Sequence, residues 1–235
     1  MRRLPANGPQ PGDEPPVIGA LELKIIVGST RPGRAADRVA PWIAEAAANH
    51  GAFAVDLLDL RDWALPFFAE SWETIGDPLE PAYSVPIVKR WNERIAAGDA
   101  FIFITPEYNH SLPAVLKNAI DSVFMSFGFR NKPAAFVSYS AGTAAGVRAI
   151  EHLAHIMVEA EAVPLRNTVI VPRVGEAFDE AGRPVNPSAS TAAHHLLDDL
   201  EWWARVLLRA RQEGALPPVP FRKAHVAPVP TEQAS

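Results

Sequence analysis

The sequence predicts an α/β fold: a doubly wound, five-stranded parallel sheet with helices on both faces. Three observations carry this expectation. Short runs rich in β-branched and aromatic residues alternate with longer stretches of helical periodicity. Prolines crowd both ends of the chain and leave residues 23–213 as one body of single-domain size. Three of the short runs end in loops built of Gly, Ser, Thr, Pro and Asn, the residues that line ligand clefts at the carboxyl edge of such sheets.

In chain order, residues 1–21 carry Pro5, Pro9, Pro11, Pro15 and Pro16, which deny the backbone donors and apolar spacing that a helix or sheet needs, so a disordered arm is expected. The strands are expected near 23–27, 53–58, 100–105, 134–140 and 168–171. Between and after them, helical periodicity covers 35–49, 86–97, 113–123, 146–160 and 188–211. Pro86 and Pro113 suit first-turn positions, where the missing N–H loses no partner. Pro41 falls inside the first helix and predicts a kink or a later start. The stretch 61–85 is irregular, and it offers Leu65, Pro66, Phe67, Phe68 and Trp72 to solvent. With Trp91 on the helix that follows, this predicts an association surface and a homodimer or homotetramer. Ser188 is the expected cap of the last helix, whose apolar face comprises Leu196, Leu197, Leu200, Trp203, Leu207 and Leu208. Residues 22–213 thus form the expected domain. Residues 214–235, with Pro217, Pro218, Pro220, Pro228 and Pro230, form a second proline-rich tail in which Val219 and Phe221 could lie along a neighbouring surface.

Composition excludes much chemistry. The chain is 48% hydrophobic and 21% charged, with a mean hydropathy of 0.00, as in a globular protein. Its 22 basic and 27 acidic residues give a net charge of −5, and no Lys/Arg cluster is dense enough to neutralise a run of phosphates. Nucleic acid and anionic membrane are therefore not expected partners. Zero cysteines exclude disulfides, thiolate metal sites and every cysteine nucleophile. No apolar run approaches the roughly 18 residues of a membrane span, and the opening MRRLPANGPQPGDEPP has no apolar core of a leader, so a cytoplasmic address is expected.

The chemistry lies in the three loops. The first, Gly-Ser-Thr-Arg-Pro-Gly-Arg (28–34), combines Gly28 and Gly33, which let backbone come close to a ligand, with the hydroxyls of Ser29 and Thr30 and the cations Arg31 and Arg34, just ahead of a helix. Free N–H groups, the helix dipole and charge-assisted hydrogen bonds from arginine together suit a phosphate. Neither Walker nor dinucleotide spacing is present, which points to a monophosphate; the alternative is a plain strand-to-helix turn with surface arginines. The second loop is Pro106, Glu107, Tyr108 and Asn109, and the third begins Ser140, Ala141, Gly142, Thr143. Each could be an ordinary turn. In a sheet of order 2-1-3-4-5, however, the three loops stand side by side at the switch point where ligands bind.

Other constellations fail on spacing. His152 and His155 in Glu-His-Leu-Ala-His do not match the zinc-protease pattern, and the adjacent His194 and His195 point in different directions. Ser138 and Ser140 lack the first glycine of a hydrolase nucleophile elbow. Glu107 and Asp121 stand at opposite ends of a loop and helix, too far apart for paired acid–base work. No metal is expected.

The first loop and Pro-Glu-Tyr-Asn-His-Ser-Leu-Pro-Ala-Val-Leu-Lys-Asn-Ala-Ile-Asp (106–121) resemble the flavodoxin-like NAD(P)H-dependent FMN reductases, a family that includes quinone, chromate and azo-dye reductases, and the resemblance spans roughly residues 22–175. It implies that Ser29, Arg31 and Arg34 meet the FMN phosphate and that Pro106, Glu107, Tyr108 and Asn109 lie beside the isoalloxazine. Ser140, Ala141, Gly142 and Thr143 then lie near its pyrimidine edge. The implied activity is hydride transfer from NADH or NADPH to FMN and then to a small-molecule electron acceptor, with no catalytic acid or base and with a partner subunit helping to wall the site. The rivals are a flavodoxin-type electron carrier, which would bind FMN without its own NAD(P)H site, and a phosphate-ligand binding protein on the same fold. The proline-rich ends exceed the family's core and leave the quaternary contacts open.

Overall fold

The computed structural model describes residues 19–78, 80–214, 216–218 and 221. In it the apolar runs form β1 (Leu21–Val27), β2 (Phe53–Asp59), β3 (Ala100–Pro106), β4 (Pro133–Tyr139), β5 (Val163–Pro164) and β6 (Val169–Val171). The sheet is parallel in the order β2-β1-β3-β4-β5, and β6 also pairs with β4. The expected fifth strand, 168–171, is β6, and a two-residue strand that was not expected, β5, precedes it on the same side of β4. Pro164 cannot donate to the ladder, and Asn167, between the two, turns its amide to Asp199 at 2.6 Å.

The period-2 side-chain pattern feeds two cores. From β3, Ile102 and Ile104 face Val39, Ile43, Leu196 and Leu200, while Phe101 and Phe103 face Trp91, Phe129, Leu153 and Met157. Helices α1 (Ala36–His50) and α6 (Pro187–Gly214) cover the first face. Helices α3 (Pro86–Ala96), α4 (Ala114–Asp121) and α5 (Val147–Glu159) cover the second. Each fully buried large apolar side chain contributes about 1.5–3 kcal/mol, so these two layers set the fold.

Several details differ from expectation. Helix α1 continues from Ala36 through Pro41, which sits on the exposed side of the helix. Pro113 precedes α4 in extended conformation rather than occupying its first turn. The irregular stretch contains a short helix, α2 (Trp72–Ile75), capped by Ser71. Asn186, not Ser188, caps α6: its Oδ1 accepts from the Ser188 N–H at 3.0 Å, and Pro187 takes the first helical position. Trp203 is turned outward, because the buried stripe runs through Ala193, Leu196, Leu197, Leu200 and Ala204. Trp91 is buried, donating its indole N–H to the Ala119 carbonyl at 2.8 Å, and so belongs to the core rather than to an exposed patch. The expected arm up to residue 18, most of the tail and Val219 lie outside the described residues; Phe221 packs edge-on against Phe127.

Candidate functional site

At the carboxyl edge, β1, β3 and β4 are neighbours, and the three loops that follow them lie side by side. In the first loop, Ser29 is fully buried and its Oγ is 2.8 Å from the Tyr108 hydroxyl. Arg31 is exposed, free of ion pairs among the described residues, and stands 5.6 Å from the centre of the Tyr108 ring. Arg34 is committed elsewhere. Its guanidinium is buried and donates to the Ser29 carbonyl, to Asp59 at 2.8 Å and to Asp37 at 3.0 Å. Burial would lower its pKa, but the bonds to Asp59 and Asp37 leave it raised. Burial likewise disfavours the Asp59 charge, yet hydrogen bonds from Arg34 and Arg61 bring this carboxyl down to about 2. The two arginines of the loop thus differ: one braces it from within, and the other faces outward.

The glycines divide in the same way. Gly33 has a φ of +66° and open space around it, as a turn near a ligand needs. Gly28 has a packing reason for being glycine: a Cβ there would stand 2.7 Å from Leu116 Cδ2 and 3.2 Å from the Ile104 carbonyl, so this glycine lets β1 pack against β3 and α4.

In the second loop, Asn109 and His110 have φ values of 49° and 67°, and Tyr108 and Ser111 close the turn with reciprocal backbone bonds of 2.8 and 3.0 Å. Glu107, following Pro106, accepts from Arg148 Nε at 2.7 Å, while its Oε2 is buried without a partner. That pair ties the loop to α5, as does the 2.9 Å contact between Ser111 Oγ and His152 Nδ1. In the third loop, Ser140 Oγ donates to the Gly142 carbonyl at 3.0 Å, and the N–H groups of Arg173 and Val174 hold the carbonyls of Gly142 and Ser140. Ala141, Gly142 and Thr143 are left exposed. Ser138 is buried and donates to the Ala145 carbonyl at 2.8 Å, a structural role that agrees with its rejection as a nucleophile.

Two residues of this edge were not foreseen. Tyr139, at the end of β4, is buried beneath the first loop, near Ser29 but without a partner in hydrogen-bond geometry; burial, then the neighbouring Tyr108, pushes its hydroxyl up. Asp59, at the end of β2, anchors Arg34. Only the parallel register, which sets Tyr139 beside Pro106 and Asp59 beside Val27, brings either one to the site. The outward Arg31, the loop hydroxyls and the approach to the α1 N-terminus form a donor set that fits a phosphate monoester. The hydroxyl of Tyr139 and Oε2 of Glu107 are buried at this edge without a hydrogen-bond partner. Among the described residues no group of three His, Asp or Glu is placed to hold a metal ion.

Comparison with known proteins gives the following. The family model for NADPH-dependent FMN reductase matches residues 22–176. An NAD(P)H-dependent FMN reductase of Pseudomonas aeruginosa is 36% identical over 156 residues, 65% of this chain and 80% of that protein. A quinone reductase of Pseudomonas putida is 34% identical over 127 residues, 53% of this chain and 62% of that protein. Among solved structures, FerB, a flavoenzyme NAD(P)H:(acceptor) oxidoreductase from Paracoccus denitrificans, aligns with a TM-score of 0.64 at 22% identity, covering 80% of this chain and 98% of that one, a likeness of fold.

Proposed function

The chain belongs to the NADPH-dependent FMN reductase family, and from that premise we propose how its own residues hold FMN and present it to two substrates in turn. The protein is an FMN-dependent oxidoreductase that takes reducing equivalents from NAD(P)H and passes them to a small acceptor. Bound FMN supplies the hydride chemistry itself; the protein's tasks are binding, orientation and electrostatics.

In this reading Arg31 donates charge-assisted hydrogen bonds to the phosphate, with Ser29 and the loop amides completing the cradle. Arg34 keeps its pairing with Asp59 and Asp37 and holds the loop in shape, reaching the phosphate through the loop it braces. Pro106, Glu107, Tyr108 and Asn109 flank the ring mainly through backbone groups. Ser140, Ala141, Gly142 and Thr143 meet its pyrimidine edge. The observation that carries this assignment is the 2.8 Å contact between Ser29 and Tyr108, which joins the phosphate loop to the ring loop, with Arg31 over the same tyrosine. No side chain is asked to act as acid or base.

With FMN held in this way the loops would cover part of the ring, and NAD(P)H and the acceptor would use the remaining open face in turn. Initial rates measured over a matrix of NAD(P)H and quinone concentrations test this: parallel double-reciprocal lines are expected, and intersecting lines would mean that both substrates bind together. A homodimer or homotetramer belongs to the proposal, supported by the exposure of Phe67, Phe68 and Trp72 along the segment after β2. So does a cytoplasmic address, where NAD(P)H is supplied; no helix among the described residues is long and apolar enough to cross a membrane.

A further inference from the structure

Helix α6 carries a second apolar surface, turned away from the sheet. Its buried stripe runs through Ala193, Leu196, Leu200 and Ala204, while Trp202, Trp203 and Val206 are 59%, 37% and 43% exposed. The two indoles meet edge to face, their centroids 5.1 Å apart. Trp202 and Val206, four residues apart, stand one above the other on the outward face. Apolar side chains grouped in this way, rather than scattered singly, mark a surface that another segment covers.

The segment that starts nearest to it is the chain's own residues 1–18. Asp99 joins the last turns of α6 to the first strand: its Oδ1 accepts from Arg211 Nη2 at 2.8 Å, and its Oδ2 accepts from the Glu22 N–H at 3.1 Å. The described residues begin at Gly19, so residues 1–18 set out beside the Arg211 end of α6. Trp202 lies back along the helix by about 14 Å and on its opposite side, about 17 Å round the surface. Residues 1–18 carry Pro5, Pro9, Pro11, Pro15 and Pro16, and a polyproline II segment of that length spans about 55 Å. At about 3.1 Å per residue, Pro9 and Pro11 arrive at Trp202. The apolar group of Phe67, Phe68 and Trp72 follows β2 at the carboxyl edge, the far edge from Gly19. The C-terminal segment sets out elsewhere, from Phe221, which packs against Phe127 beside Trp72.

We propose that residues 5–16 lie in polyproline II along the outward face of α6 of the same chain, with Pro9 and Pro11 against Trp202 and Val206. Proline rings pack flat on indoles, and a polyproline segment gives up little conformational freedom when it docks. Beyond this contact the arm brings Arg2 and Arg3 toward Asp198 and Asp199, the turn of α6 that precedes Trp202, and so sets opposite charges together at the surface. The strap covers the aromatic ridge and leaves assembly to the apolar segment after β2. This inference stands independently of the flavin reading.

A chain without cysteine accepts two unique labels at full length. Spin labels at Gln10→Cys and at His195→Cys, an exposed position on the Trp202 side of α6, report the distance between arm and helix by pulsed EPR. A single narrow distance is expected, well below the reach of about 55 Å that the arm has when extended. Trp202→Ser with Val206→Ser should broaden the distribution severalfold. Pro9→Ser with Pro11→Ser should do the same, and because these positions lie outside the described residues they serve even if the helix variant folds poorly. A broad distribution in the labelled protein, or a narrow one that survives either pair of substitutions, would overturn the inference. So would a short distance found only between copies that carry one label each, which would put the arm on a partner subunit.

Discussion

Two arginines three residues apart have opposite expected fates on substitution. Arg31→Ala removes an outward guanidinium that has no ion pair among the described residues, so FMN binding should weaken by about 1.5–3 kcal/mol, roughly 10- to 150-fold in Kd, with little change in Tm. Arg34→Ala leaves the part-buried Asp59 with Arg61 alone and the Ser29 carbonyl without its donor, so about 1–3 kcal/mol of stability should go with it, read as a fall in the urea midpoint of the apoprotein. A fluorescence titration with FMN beside a urea melt separates the two, and equal losses of affinity and stability in both variants would contradict the division of labour. Asp59 also sets a pH response. Its folded carboxyl lies at about 2, below the ordinary value near 3.9, so the pairing stabilises the fold above about pH 4 and is lost as pH falls from there through about 2. After allowance for solvent screening it is worth about 1–2 kcal/mol, and Asp59→Asn should flatten that part of the acid-unfolding curve. Glu107→Gln weakens the tie to Arg148 without removing a proton donor, so FMN affinity or potential should shift while reduction by NAD(P)H persists.

At the scale of elements, Gly28→Ala places a methyl against Leu116 and the Ile104 carbonyl, and should cost about 1–3 kcal/mol in a denaturant melt by forcing β1, β3 and α4 apart. A neutral result would mean that α4 gives way there without cost. Strands and helices were legible because period 2 and period 3.6 are written in side chains that must reach two cores, as Phe101 and Ile102 do on opposite faces of β3. Caps and breaks were less legible because they depend on groups distant in sequence. The unexpected β5 stops short of β6 where Asn167 finds Asp199, and Asn186, two residues ahead of Ser188, takes the start of α6 by accepting the Ser188 N–H. The site follows the same division. Its loops announced themselves through glycines, hydroxyls and arginines, whereas the inward turn of Arg34, the packing role of Gly28 and the approach of Tyr139 depend on register between strands.

For the whole molecule, the parallel sheet sets three loops on one edge, while the segment after β2 and its exposed aromatics occupy the neighbouring surface. Sedimentation at micromolar concentration should therefore give a dimer or tetramer, and Phe67→Ser with Trp72→Ser should shift it toward monomer; a wild type that sediments only as monomer would remove the proposed association surface. The central claim concerns what the edge holds and what it does. It is tested most directly by loading the protein with FMN, removing oxygen and adding NADPH or NADH in the absence of any acceptor, while flavin absorbance is followed. Rapid bleaching, with colour restored when quinone is added, is the predicted result. An FMN-loaded protein whose absorbance stays unchanged by either nucleotide would contradict the account and favour an electron carrier without its own NAD(P)H site.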